Sequence, residues 1–267
     1  MTSAIAPSLL ISLLTAGALG MLGLCIGSFL NVCIYRMPRS ESISFPGSHC
    51  TSCGAAIRWY DNVPVVSYLA LGGQCRACHA HVSSRYVLVE LLTGVLFAAH
   101  AWFFEPGVLL GARLVLCAIL IALFFIDLEH QLLPDALTLP GVAVGIIASA
   151  FGAPGVFSSL LGAALGAAIL LLIRWLWKRA TGVDGMGLGD VKMLAMIGAF
   201  LGWQQVWLVL FAASLAGAIT GIAIAAARRG SMKSKLPFGT FLAVATLFAS
   251  LWGGRLVAWY VGLITLQ

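Results

Sequence analysis

Apolar residues along this chain fall into long unbroken runs rather than an alternating pattern, roughly over 8–35, 86–104, 108–126, 137–153, 156–177, 191–203, 205–227 and 237–264. A helix rises about 1.5 Å per residue, so about 20 such residues cross the ~30 Å hydrocarbon core of a bilayer. Most of the runs reach that length, whereas 191–203 is too short to count as a full span. The pattern predicts an all-α polytopic membrane protein with seven to eight transmembrane helices. Its one long polar connection divides the chain into a first helix at 1–35, a loop domain at 36–85 and a membrane-embedded remainder at 86–267.

Composition removes the soluble alternative: 61% of residues are hydrophobic, 9% are charged and the mean hydropathy is +1.04, outside the range of soluble domains. The 30 glycines suit helices whose backbones approach closely. No repeat of fixed period is present.

A net charge of +6 raises the question of a nucleic-acid partner, but the basic residues are scattered between apolar runs rather than gathered on one face, which argues against one. Orientation accounts for them. With the first helix running outside to inside, Arg36, Arg39, Arg58, Arg76, Arg85, Arg174, Lys178, Arg179, Lys192, Arg228, Arg229, Lys233 and Lys235 all fall on the cytoplasmic side. That is thirteen of the fifteen, with Arg113 and Arg255 left near the other face, as the positive-inside rule requires. No basic residue precedes the first apolar run, so it reads as a retained helix with its N-terminus outside rather than a cleaved signal.

The cytoplasmic loop carries four cysteines in two pairs, Cys50-Thr51-Ser52-Cys53 and Cys75-Arg76-Ala77-Cys78. Two such knuckles resemble a zinc ribbon, in which both thiolates of a pair face one ion. Disulfides are the rival reading, and a reducing cytoplasm disfavours them. Gly54 supplies the left-handed turn a knuckle often needs. His49, His79 and His81 lie beside the pairs as substitute ligands or as ordinary loop histidines. Cys25, Cys33 and Cys117 lie in apolar runs and read as packing residues.

Chemistry enters with two aspartates at membrane edges. A carboxylate near hydrocarbon costs about 2.5–3.5 kcal/mol on insertion scales, so it is rare unless used. Asp127 closes an apolar run near a helix C-terminus, where the dipole disfavours an anion. Asp190 closes Gly187-Leu188-Gly189-Asp190 just before the next apolar run. A helix cap explains Asp190 alone as well as catalysis does; a partner on the same face tips the balance. Together the two carboxylates supply the acid and the base of peptide hydrolysis, and Gly187 and Gly189 let an extended substrate backbone come close. Asp135, after Pro134, reads as a helix N-cap, Asp184 and Glu129 as loop acids, and Lys192 as a positive-inside anchor able to modulate the pair. Glu90 inside the second helix is neutralised by Arg85 or serves a second site.

At this point the chain resembles the bacterial type IV prepilin leader peptidases, over nearly its whole length. The resemblance rests on Gly27 to Val32, Tyr35 to Pro38, the cysteine pairs, Trp59 to Pro64, Ser84 to Tyr86, Val89 to Leu92, Asp127 to Pro140, Gly185 to Gly202 and Pro237-Phe238-Gly239. It implies an inner-membrane aspartyl protease of the Gly-x-Gly-Asp type that removes the basic leader of prepilins or secretion pseudopilins, with Asp127 and Asp190 catalytic. It also implies that the new N-terminal residue is methylated from S-adenosylmethionine, and that Cys50, Cys53, Cys75 and Cys78 hold a structural zinc. The methyl-donor residues are not indicated, since the glycine-rich fingerprint of soluble nucleotide folds is absent. Val87 and Thr240 depart from the pattern, standing where family members often carry proline. A proton-coupled transporter is the first rival; it predicts midplane carboxylates and related halves, which the sequence lacks. A non-catalytic zinc-ribbon scaffold, with the aspartates as caps, is the second.

Overall fold

A computed structural model describes residues 5–227 and 236–265; Arg228, Arg229, Lys233 and Lys235 of the charge count lie outside them. Every apolar run is a helix. Among the described residues, six helical stretches are long and apolar enough to cross a membrane: Leu9–Arg39, Arg85–Phe103, Val108–His130, Val156–Thr181, Trp203–Ala227 and Phe238–Leu263. The other two runs form shorter helices, Asp135–Ser149 and Leu188–Leu201. The chain divides into two compact units, Met1–Leu110 and Gly111–Gln267.

In the first unit α1 (Ile5–Arg36) lies antiparallel to α3 (Arg85–Phe103). Small residues allow it: a side chain at Gly23 would stand 2.8 Å from the Gly94 Cα, and one at Gly27 would stand 2.6 Å from the Glu90 Cα. Two backbones this close exchange dispersion along their whole length, which is how helices associate where lipid removes the hydrophobic drive. The Asn31 amide donates to the Tyr86 carbonyl at 3.0 Å, closing the end of the pair next to the polar loop. The intervening loop holds 3₁₀ turns at Met37–Arg39 and Trp59–Asn62 and the short α2 (Val66–Ala70). Val65, entering α2, has φ of 63°, a left-handed conformation that is costly for a β-branched residue. Its N–H donates to the Glu90 carboxylate at 2.8 Å, which holds the turn in place.

The second unit contains α4 (Val108–His130), α5 (Asp135–Ser149), α6 (Val156–Thr181), α7 (Leu188–Leu201), α8 (Trp203–Ala227), α9 (Phe238–Phe248) and α10 (Gly254–Thr265), the last two joined by a π turn. At its centre is α7, with Met193, Leu194, Met196, Ile197 and Ala199 fully enclosed. Its 14 residues span only about 21 Å, so α7 is the apolar-all-round interior helix that burial by neighbours produces. Glycines set its approach to α6: Gly198 and Gly162 touch backbone to backbone, and a side chain at Gly166 would lie 2.6 Å from the Leu194 carbonyl oxygen. The Ser159 hydroxyl, fully buried, donates across the same seam to the Ala199 carbonyl at 2.6 Å.

Candidate functional site

Asp127 lies in the last turn of α4 and is 5% exposed. Its carboxylate oxygen Oδ2 accepts the backbone N–H of Thr240 at 2.9 Å, and Gly239 N–H also donates to this carboxylate. These two residues stand at the second and third positions of α9, whose N-cap is Pro237, a residue with no side-chain cap of its own. Asp127 therefore caps α9 from another helix, and the positive end of the α9 dipole offsets the unfavourable end of α4. Thr240 matters here because a proline would have no N–H to give. Gly239 matters because a Cβ there would come within 2.7 Å of Oδ2.

Asp190 is not an N-cap. The N-cap of α7 is Gly187, in extended conformation at φ −73°, and Asp190 is the third helical residue, from which its carboxylate reaches back to the Gly187 N–H. This is the returning half of a capping box. Gly189 is already helical, and neither glycine has positive φ. What Gly189 supplies is room, since a Cβ would stand 2.8 Å from that of Leu133. Leu133 also closes on Gly239, so the starts of α7 and α9 converge on one side chain. The two carboxylates are near enough that the charge of Asp127 acts on Asp190.

Around them the charged residues resolve differently from expectation. Asp135 is the first residue of α5 after an N-cap at Pro134, and its carboxylate accepts Lys192 Nζ at 2.7 Å; it ties α5 to α7 rather than capping. Lys192 thus spends its charge on Asp135. Asp184 pairs with Arg174 at 3.2 Å and with Lys178 at 3.4 Å, binding the segment before α7 to the end of α6.

In the first unit the four thiols of Cys50, Cys53, Cys75 and Cys78 lie within 4.8 Å of one another. Each pair sits in the same knuckle: Cys50 N–H donates to Ala55 O and Gly54 N–H to Cys50 O, as Cys75 N–H donates to Ala80 O and His79 N–H to Cys75 O, all at 2.9 Å. Gly54 has φ of 72°, as the turn requires, and His79 takes φ of 55° at the matching place. The second knuckle thus spends a histidine on backbone geometry, which no spacing rule would reveal. His49 and His81 turn their Nδ1 atoms to the carbonyls of Gly47 and Val82. Backbone N–H groups of Cys53 and Ser52 pull the Cys50 thiol down to about 6, the direction that favours ligation of a soft cation, whereas hydrogen bonds with the other three thiols push Cys78 up. Arg76, between Cys75 and Cys78, forks onto the Asp61 carboxylate at 2.6–3.1 Å. Of the three remaining cysteines, Cys33 and Cys117 are buried as packing residues, whereas Cys25 is exposed.

Two family models match the chain: the bacterial peptidase A24 N-terminal domain over residues 21–104 and the type IV leader peptidase family over residues 114–222. A Pseudomonas aeruginosa protein named prepilin leader peptidase/N-methyltransferase is 40% identical over 265 residues, covering 90% of this chain and 91% of its own. Proteins of the same name from Aeromonas hydrophila and Dichelobacter nodosus are also 40% identical, covering 90% and 89% of this chain and 92% and 91% of theirs. No solved structure matches the chain.

Proposed function

The chain belongs to the type IV leader peptidase family, and from that premise we propose that it cleaves the leader peptide from prepilins and methylates the N-terminal amine so exposed. Asp127 and Asp190 are the catalytic pair. The observation that carries this is their convergence: two acids 63 positions apart in sequence, Asp190 in the first turn of α7 and Asp127 against the first turn of α9, meet where those two helix starts share Leu133, close enough for the charge of Asp127 to act on Asp190. One carboxylate, ionised, takes a proton from water as it attacks the scissile carbonyl, and the other, protonated, gives a proton to the leaving amine. Like charges this close titrate as one unit, so both roles are available from one pair.

The charge distribution supports an N-terminus outside and the acids and the 36–85 loop on the cytoplasmic side of the inner membrane. A prepilin helix then enters from lipid with its basic leader left in the cytoplasm, which sets the cut at the interface where water is present. Secretion pseudopilins share that arrangement and belong to the same substrate class. Functionally the chain divides into the first helix at 1–35, the loop domain at 36–85, concerned with methyl transfer, and the peptidase region at 86–267.

The thiols of Cys50, Cys53, Cys75 and Cys78 fit zinc, which accepts four thiolates in a closed tetrahedral, structural site. Held between the two cysteine knuckles, it would stiffen a loop too small for a core of its own. S-adenosylmethionine is the methyl donor: the free-base amine displaces the methyl from its sulfonium, the S–C electron pair stays on sulfur, and the ammonium proton leaves to water.

The test is to incubate the purified chain with a prepilin, with and without the donor, and to weigh the product. Loss of the leader, plus ~14 Da only with donor, a CH₂ being added in net, is the expected result. Uncut prepilin overturns the peptidase reading, and cleavage without added mass overturns the methyl-transfer reading.

A further inference from the structure

The short helix α2 is built inside out. Its polar side chain faces inward: Ser67 is 9% exposed, accepts the Val63 N–H at 3.0 Å and donates its hydroxyl to the Tyr60 carbonyl at 2.9 Å. Its large apolar side chains face outward, Val66 at 61% and Leu69 at 71% exposed, three positions apart and so on one face. Trp59, in the 3₁₀ turn that Ser67 ties to α2, is 83% exposed, with the exposed Arg58 beside it. Apolar side chains gathered outward on two adjoining short elements mark a surface that something other than water covers.

Depth identifies the cover. With 19 residues α3 is about 28 Å long, so it needs all of them to cross a hydrocarbon core of ~30 Å. Glu90 lies five residues inside its start, about 7.5 Å from the helix end. That buried carboxylate accepts the N–H of Val65, the residue that opens α2, at 2.8 Å. Ser28, eight residues before the end of α1, hydrogen-bonds it as well. The start of α2 is therefore level with the second turn of α3, below the helix ends rather than out in the aqueous loop. Neighbouring loop segments are held against α1 too. Asn62 and Pro64 wall the same cavity, of about 350 Å³, as Cys25, Ser28 and Phe29 of α1. Arg36, buried and paired with no carboxylate among the described residues, donates to the carbonyls of Ser42 and Gly47 at 2.9 and 3.2 Å. At the level of Glu90, α3 has its own exposed apolar stripe in Leu88, Leu91 and Val95.

We propose that α2 and the Trp59 turn form a membrane-embedded foot of the loop domain, with Val66 and Leu69 among the acyl chains at the bilayer edge, Trp59 at the headgroup boundary and Arg58 toward lipid phosphates. Tryptophan prefers that boundary, and a guanidinium beside it complements anionic headgroups. The occupant is lipid because the face stands at a depth where lipid already surrounds α1 and α3. The left-handed Val65 turn gains a purpose: it aims the apolar side of α2 outward while Glu90 satisfies the N–H it leaves free. The domain is thus held to the bilayer by its own side chains as well as by the two helices it joins. This placement does not depend on either chemical activity.

The test embeds the full-length protein in nanodiscs of phosphatidylethanolamine and phosphatidylglycerol that carry a diazirine-bearing phospholipid, irradiates, digests and locates the label by mass. Segment 59–70 should be labelled along with α3, and the knuckles at 50–53 and 75–78 should not. A second arm places photoreactive benzoylphenylalanine in turn at Leu69, at Val95 and at Thr51, with prepilin present. Phospholipid adducts should form at position 69 to the level seen at 95, with none at 51. Label absent from 59–70, or equally strong on the knuckles, overturns the proposal. Adducts of position 69 with prepilin and none with lipid overturn it in favour of a protein-docking face.

Discussion

Asp127 and Thr240 are joined by a 2.9 Å hydrogen bond across 113 positions of sequence, the carboxylate of one capping the helix that the other begins. The acid assigned to catalysis is thus also a structural acceptor, and the two duties can be separated. Asp127→Asn keeps an oxygen for the Gly239 and Thr240 N–H groups but cannot take a proton. It should lose cleavage by at least about a hundredfold while melting near wild type. Asp127→Ala leaves those donors without a partner and should cost a further ~0.5–2 kcal/mol of stability. Thermal unfolding in detergent checks the contrast; equal melting of the two variants would sink the capping account. Asp190→Asn should be equally inactive, and substantial residual cleavage would remove that residue from the mechanism.

A methyl at position 239 has no room, because it would sit 2.7 Å from Asp127 Oδ2. Gly239→Ala should displace the carboxylate and lower kcat for cleavage on the order of tenfold to a hundredfold, as misplacement by about an ångström does. Zinc content should not change. Wild-type kcat in this variant would mean that the site tolerates the shift and that the geometry around Asp127 is looser than described.

The seam between α6 and α7 is tested by bulk. Gly198→Leu forces the two backbones apart and should destabilise by about 1–3 kcal/mol or more, with cleavage lost as α7 carries Asp190 away. Gly111→Ala in α4, where a Cβ meets nothing within 4 Å, is the control and should be neutral or slightly stabilising.

Metal analysis of carefully purified protein should give about one zinc per chain. Cys50→Ser should release the metal and open the loop to proteolysis before it affects cleavage. Zinc-free wild type would refute the site.

The Asp61–Arg76 fork should govern how firmly the second knuckle is held. Arg76 keeps the Asp61 carboxyl below its ordinary range, so the tie is complete above the usual carboxylate pKa and is lost as pH falls through the depressed value. Asp61→Asn should therefore speed stripping of metal by chelator at neutral pH, with the difference from wild type shrinking in acid and in high salt. Identical stripping rates at pH 7 and low salt would show that the fork is ornamental.

Much of this was legible in the chain because bilayer physics writes it plainly. Runs such as 108–126 can be little other than helices, and Asp127 stood out by cost alone. The cysteine knuckles declared themselves by spacing, and Gly54 by its position. What could not be read was pairing across long sequence distances. Nothing near Pro237 announces that its helix borrows a cap from residue 127, and Asp135 looks like a cap until Lys192 is brought to it by the packing of α5 on α7. α7 begins three residues before the apolar run that marks it, at Leu188 rather than at 191, since glycines do not signal whether a helix has begun. Arg36 followed the positive-inside rule well enough to hide that it is buried without a counter-ion.

The capping of α9 by Asp127 has a consequence for how the enzyme comes into being. Residue 127 is made and inserted long before residue 240 leaves the ribosome, and until it does, the acid lacks the backbone groups that fix its position. A partly synthesised chain therefore carries a carboxylate with no settled aim. On the role proposed for Asp127, the geometry that aims it is complete only once the last spans are in place.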